Sequence, residues 1–384
     1  MDTNQLVKEI FNQGDYRRIR DDLKKAGLLN GHEDQIREKY AKRFLAMGFE
    51  PEEKVWEIMA IEDLYDTATL KHGMRTCELV NEIITKPLIG PHGEKLQFKK
   101  LIEESGVSFR DMIIASLGHD IGKLKIPQEI IHNTLSNDDM KHLLVEMIHR
   151  GIRKKEIFER IGFEEKEEKS EKEILAQLYK KGLRAVNVVP LSVIFPEEKH
   201  PGFSEILRKR GFSPEQTIKQ IAVEHESAGQ EIFKILGEPI IAEVVGHHHN
   251  YKKEADSEMK YRMKIPALHA EGQNDEFGVS NIIKIADQLD SLQSSRPYKR
   301  AMTRLSALAE LTHQADAGRL EKRLLYLWID NEYEELKAKM KNNFLDTKMM
   351  KEEKKSLHQV KEFLKKTKKI FKKKFSFFSL FKRK

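Results

Sequence analysis

Cysteine is nearly absent: Cys77 is the only one in 384 residues. That excludes an intrachain disulfide framework and any Cys-rich zinc pattern, and it fits a reducing compartment. Cys77 itself reads as a small buried residue on a helix. Long apolar runs are missing as well. The longest, Ala185 to Phe195, is broken by Asn187, Pro190 and Ser192 and is too short to span a bilayer. The polar, mixed-charge start MDTNQLVKEIFNQGDY does not read as a signal peptide. There is no G-x-x-x-x-G-K-[ST] phosphate loop and no internal repeat. Strand patterns are scarce too: AVNVVPLSVIFP, residues 185–196, is the one candidate, an extended segment or loop.

What is there is charge and helical periodicity. Charged residues make up 34% and hydrophobic residues 39%, a balance suited to an all-α protein outside the membrane. The net charge of +7 is uneven. Residues 360–384 hold eleven Lys or Arg against Glu362 alone, +10, which leaves −3 for the rest. Residues 1–50 read as three short helices, a lead-in closed by Gly14, Gly27 and Gly48. Pro51 opens a long helical region that contains His72 and breaks at Lys86-Pro87. A helix is expected from about Phe109 to Leu117. Helical periodicity resumes after Ser213-Pro214, breaks at Gly237-Glu238-Pro239, and returns over Ile282–Leu292 and Ala301–Met340.

The chain is organised around SLGHDIGKLKIP, residues 116–127. His119 and Asp120 stand side by side at the end of an apolar helix, where an imidazole and a carboxylate can face one cation, and the second carboxylate oxygen can reach another. Gly122 lets backbone come close, and Lys123 places a compact positive charge near a phosphate. Other candidate ligands sit in or beside apolar helices: His72, His225, His247, His248 and Asp287. Each alone is most simply a satisfied core or surface residue. The ordered set H…HD…H…HH…D is harder to obtain by chance, because an unpaired polar group there is costly to bury.

This set resembles the HD superfamily of metal-dependent phosphohydrolases, and in detail its HD-GYP branch. GHDIGKLKIP is similar to the branch's HDIGK-x-x-IP. HESAGQEIF resembles H-x-x-x-G-x-x-I, VVGHHHN resembles its HH-E segment, and IIKIADQLDSLQSSRPYKRAM resembles I-x-x-x-AD-x-x-D-x-L-x-S-x-RPYR-x-A. The resemblance covers roughly residues 72–302. It implies an HD-type helical bundle over 51–345, interrupted by an insertion at about 137–210, with the lead-in before it and a basic amphipathic tail, 346–384, after it. It implies that His72, His119, Asp120 and Asp287 hold one metal ion and that His225, His247 and His248 hold a second, with Asp120 bridging. The donors suit Fe or Mn, with Zn or Ni also compatible. Lys123, Arg296 and Lys299 would neutralise substrate phosphates. Three departures stand out. The loop after the histidines reads NYKKEADSEMKYRMKIP and has no GYP triplet. His249 replaces the usual Glu. Ala68 occupies the place from which some members supply a third-metal Glu, so two ions are expected.

The implied activity is that of a phosphodiesterase. Asp120 and Lys123 would assist attack by a metal-activated hydroxide on a nucleotide phosphodiester, foremost a cyclic dinucleotide such as cyclic di-GMP. The alternatives are an HD phosphohydrolase acting on another nucleotide and a receptor or scaffold that binds nucleotide without cleaving it. In the tail, Phe363, Leu364, Ile370, Phe371, Phe375, Phe378 and Phe381 gather opposite a lysine-rich face. That pattern favours docking on an anionic membrane surface, in preference to nucleic acid, and so a cytoplasmic protein peripheral on the inner leaflet. A homodimer is left open.

Overall fold

The computed structural model describes residues 2–89, 95–133, 135–164, 166, 168–249, 279–295, 300–342 and 347–374. The fold is all-α, as the periodicity predicts. Among the described residues the strands are a three-residue antiparallel pair, Pro87–Ile89 with Lys95–Gln97, placed where Lys86-Pro87 breaks the long helix. The expected extended segment at 185–196 folds instead into a turn of 3-10 helix at Ala185–Asn187 and one of α-helix at Leu191–Ile194. Only Pro190 pairs in β fashion, with Thr217. Its side chains explain the difference: Val188, Val189 and Leu191 are consecutive enough to bury together on short turns, and among the described residues no neighbouring strand is present for them to join.

The organising helix, Glu53–Thr85, is two helices meeting at Asp66, whose backbone is extended (φ −158°, ψ 101°). The Asp66 carboxylate accepts the Ala68 N–H at 3.1 Å, the Thr69 N–H at 3.0 Å and the Thr69 hydroxyl at 2.6 Å. Those are N-cap interactions, so the second half restarts there, nearly two turns before His72. The Phe109–Leu117 helix is opened by a Ser108/Asp111 capping box and lies across this second half. The crossing is close because position 73 is glycine: a Cβ there would stand 2.3 Å from the Leu117 carbonyl oxygen.

One continuous apolar core joins these helices to Ser280–Gln293, Arg304–Asp316 and Lys322–Asn342. The lead-in packs into this same core. Phe11 meets Tyr65 with ring centroids 4.9 Å apart, and Phe44 meets Trp56 at 5.4 Å. A second apolar cluster, drawn from residues 126–221 and so wider than the insertion expected at about 137–210, includes Leu144, Phe158, Leu178, Val189 and Phe203. Arg210, buried at the insertion's end, donates to the carbonyls of Leu124 and Phe11 and so ties insertion, HD turn and lead-in together.

The C-terminal expectation needs correction over part of its length. Val360, Phe363, Leu364 and Thr367 are buried on the Thr347–Lys374 helix, within the same core as the bundle. The stripe assigned to a membrane therefore begins as a packing face: its period of three to four residues matches a neighbouring helix as well as a lipid surface. Phe375, Phe378 and Phe381 lie outside the described residues, as do the side chains of Ile370 and Phe371. No described helix is long and apolar enough to cross a membrane.

Candidate metal centre

The HD pair leaves the Phe109–Leu117 helix through Gly118 and enters a 3-10 turn, Ile121–Lys125. That turn is pressed against the Glu224–Ile235 helix. A Cβ on residue 122 would lie 1.9 Å from the His225 carbonyl oxygen and 2.5 Å from the Gly229 nitrogen, so only glycine fits. The glycine expected to admit a close approach admits the backbone of the next ligand helix. His248 and His249 follow the Pro239–Val245 helix, and Asp287 and Asp290 come from Ser280–Gln293.

A shared local device aims the imidazoles. In His119 the ring Nδ1 donates to the Ser116 carbonyl at 2.9 Å. His225 does the same to Ala222, and His248 to Val245 at 2.6 Å. Each acceptor lies three residues back, and a carbonyl can only accept. The proton is thus fixed on Nδ1, and Nε2 is left with its lone pair facing inward. His72 is held by a carboxylate instead: Nδ1 donates to Asp290 Oδ2 at 2.7 Å, and Arg75 clamps Asp290 at 2.6 and 2.9 Å. Asp290 orients this ring, although the sequence pattern alone assigns it no part. Its signal was its place one helical turn from Asp287, on the same face.

The inward atoms converge. His72 Nε2 is 3.0 Å from Asp287 Oδ1 and 3.6 Å from Asp120 Oδ2. His119 Nε2 is 3.5 Å from Asp120 Oδ2 and 3.9 Å from Asp287 Oδ1. It is fully buried and has no hydrogen-bond partner among the described residues. The other oxygen of Asp120, Oδ1, faces His225 Nε2 at 3.5 Å. His225 and His248 bring their Nε2 atoms within 3.3 Å of each other. With both protons on Nδ1, two lone pairs face each other there, which is unfavourable unless a cation or a proton lies between them. Three overlapping groups could hold metal: His72, His119 and Asp287; His119, Asp120 and His248; and His225, His248 and His249.

His247 is the one expected ligand not brought in. Its Nε2 bonds to Glu243 Oε1 at 3.0 Å, four residues back on the helix. His249 takes its place, with its ring centroid 4.1 Å from that of His248 and its backbone N–H on Glu226 at 2.7 Å. The helix ends at Val245, and the residue three beyond it reaches back to the Val245 carbonyl. The inward pair is therefore 248 and 249, a register that three consecutive histidines conceal. Arg296 and Lys299 lie outside the described residues, as does the loop 250–278 where a GYP triplet would fall.

The electrostatics favour a cation. Burial opposes ionisation of Asp120, but Lys123 at 2.5 Å and the surrounding histidines hold its carboxyl well below the usual range. Asp287 is likewise lowered against burial, by His72 first. Burial pushes His119 down, His248 well down, and His249 down to about 4. The cage thus presents ionised carboxylates and neutral imidazoles, the protonation states that ligate metal. His72 differs: burial lowers it, yet Asp287 and Asp290 outweigh this and raise it to about 9, so a proton must leave for it to ligate. Beside the cage lies Glu62, buried, with neither carboxyl oxygen hydrogen-bonded among the described residues. Burial, then the Asp120 charge, pushes it up to about 8 against Lys123 and His72. Comparison with known protein families finds no family model that matches this chain, and neither curated proteins nor solved structures return a match.

Proposed function

We propose that the chain is an HD-type metal-dependent phosphohydrolase that holds two divalent ions and cleaves a nucleotide phosphodiester, foremost in a cyclic dinucleotide. The observation that carries this reading is the split use of Asp120. One oxygen faces the His72, His119 and Asp287 group, and the other faces His225 beside His248 and His249. A buried carboxylate between two nests of inward lone pairs is what a bridged pair of cations requires. His72, His119, Asp120 and Asp287 would hold one ion; His225, His248 and His249, with Asp120, the other. Ions held there supply Lewis-acid polarisation and activate water for in-line displacement at phosphorus.

The chain's own residues do the rest. Arg75 and Asp290 fix the His72 ring, so that a ligand does not rotate as charge develops. Lys123, part-exposed and bonded to Asp120, stands at the border between cage and solvent, where an incoming phosphate would compete for it. Fe or Mn suits this nitrogen–oxygen donor set, with Zn or Ni compatible.

Anaerobic purification, metal analysis per chain and a panel of cyclic dinucleotides, nucleoside monophosphates and triphosphates test the reading. Two ions per chain and cleavage of a member of the panel are expected, and both should be lost in Asp120→Ala. A metal-loaded protein that binds nucleotides and cleaves none would leave the enzymatic reading without support. Metal-free protein after anaerobic loading would remove the centre itself.

A further inference from the structure

The insertion and the bundle enclose a cavity of about 600 Å³, away from the metal cage. This is the size of a small-molecule site. One part of its lining is aliphatic, with Ile131 from the short helix after the His-Asp turn, Leu144 from Asn137–His149, Leu178 from Glu171–Lys180, Val186 from the 3-10 turn, and Ile218; the rest is polar and includes Asn133. The one aromatic side chain in the lining is Tyr179, and no acidic side chain lines it among the described residues.

Two cations stand in the lining. Lys141 reaches over the Tyr179 ring at 5.9 Å and is paired on its solvent side with exposed Asp138 at 2.6 Å. Arg184 is exposed and has no side-chain hydrogen bond or ion pair to any described residue. A chamber with an aliphatic wall and, in the same lining, a guanidinium that no described residue pairs complements an aliphatic chain ending in one anionic head. Base stacking would need more aromatic surface than one tyrosine provides, and a dinucleotide carries more charge than the lining offsets.

Two walls of the cavity are tied, through neighbouring residues, to elements that carry cage side chains. Ile131 lies just beyond Ile126 and Gln128, which are bonded to the hydroxyl and the carbonyl of Tyr65, the last residue before the Asp66 break from which the His72 helix restarts. Ile218 opens the short helix ending at Ala222, whose carbonyl holds the His225 ring. A chain that spreads these walls would pull on the elements that carry both sets of candidate ligands.

We propose that this cavity binds a single-chain amphiphilic monoanion, of the fatty-carboxylate class, and that its occupancy is felt at the metal cage. The binding stands independently of any catalytic reading, while the coupling rests on the metal centre.

Calorimetry on the full-length, metal-loaded protein with dodecanoate tests it, with dodecyltrimethylammonium as the control of equal chain and opposite charge. Dodecanoate should bind saturably at one per chain and the ammonium should not. Arg184→Glu should weaken dodecanoate at least tenfold, and Leu178→Trp, which fills the chamber, should abolish binding. A diazirine-bearing dodecanoate should label wild-type residues within 130–186, a readout that needs no variant. Equal binding of the two amphiphiles, or labelling confined to another part of the chain, overturns the site. Saturating dodecanoate should change the rate at which a chelator strips metal, and an unchanged rate with binding intact overturns the coupling alone.

Discussion

Replacing Glu62 by glutamine should stabilise the protein, and by an amount that grows with pH. The carboxyl is 1% exposed, and neither oxygen has a hydrogen-bond partner among the described residues. Burial and the nearby Asp120 charge raise it from 4.5 to about 8. Below pH 4.5 the folded and unfolded chains both carry the proton, and Glu62 makes no pH-dependent contribution. Between 4.5 and about 8 the unfolded chain has released a proton that the folded chain keeps, so stability falls as pH rises. Above 8 the loss is complete, and the gap corresponds to roughly 5 kcal/mol at most. Glutamine is nearly isosteric and never ionises, so it removes this loss and leaves the burial of a polar group in place. His72, raised to about 9, also stabilises at low pH and loses that contribution as pH rises through 9, but it is present in both proteins. Urea unfolding followed by circular dichroism, in chelator at pH 5 and pH 9, measures the difference. Near-equal midpoints at pH 5 and a markedly higher midpoint for Glu62→Gln at pH 9 are expected. With metal present the difference should shrink, because cations beside Asp120 offset the Glu62 charge. An equal effect at both pH values would mean that Glu62 reaches water or a partner, and the reasoning would fail.

Three further outcomes follow from the packing. Gly122→Ala forces a Cβ to within 1.9 Å of the His225 carbonyl. Overpacking of this kind costs about 1–3 kcal/mol; the clashing atoms are backbone of the Glu224–Ile235 helix and cannot swing away as a side chain could, so the upper end is expected, with bound metal lost by elemental analysis because His225 is pushed aside. His249→Ala should lower metal per chain and His247→Ala should leave it unchanged, since only the former ring faces the cage; the reverse result would restore the register expected from the sequence. Cys77, fully buried and raised to about 12, should hold only about one thiolate in ten thousand at pH 8, so a disulfide reagent should leave it untouched until urea is added, and rapid reaction of the native protein would contradict its burial.

Much of the bundle was legible because apolar spacing and glycine or proline stops are local signals. The Phe109–Leu117 helix, the break at Lys86-Pro87 and the helix around Asp287 fall where the pattern places them. What stayed hidden depends on partners distant in sequence. Phe363 and Leu364 have the spacing of a lipid-facing stripe, and the presence of Arg304–Asp316 and Lys322–Asn342 against their helix makes that stripe a core. The 185–196 segment has strand composition, and composition cannot show that no strand lies beside it. Asp66 was readable in principle: D-T-A-T is an N-cap pattern inside a long periodic run, overlooked because periodicity continues on both sides.

The candidate ligands divide along the same line. His119, His225 and His248 each follow a helical residue whose carbonyl, three positions back, takes up the Nδ1 proton. That rule is local, so it could select among histidines without knowledge of the fold, provided the end of the helix is known. For the triplet it is decisive. The helix ends at Val245, which makes 248 the residue whose Nε2 turns inward, while 247 is still close enough to the helix to reach Glu243. Which candidate ligand turns inward is set by where a helix stops, and a one-residue shift in that stop exchanges which imidazole faces the cage and which faces the part-buried Glu243 carboxylate.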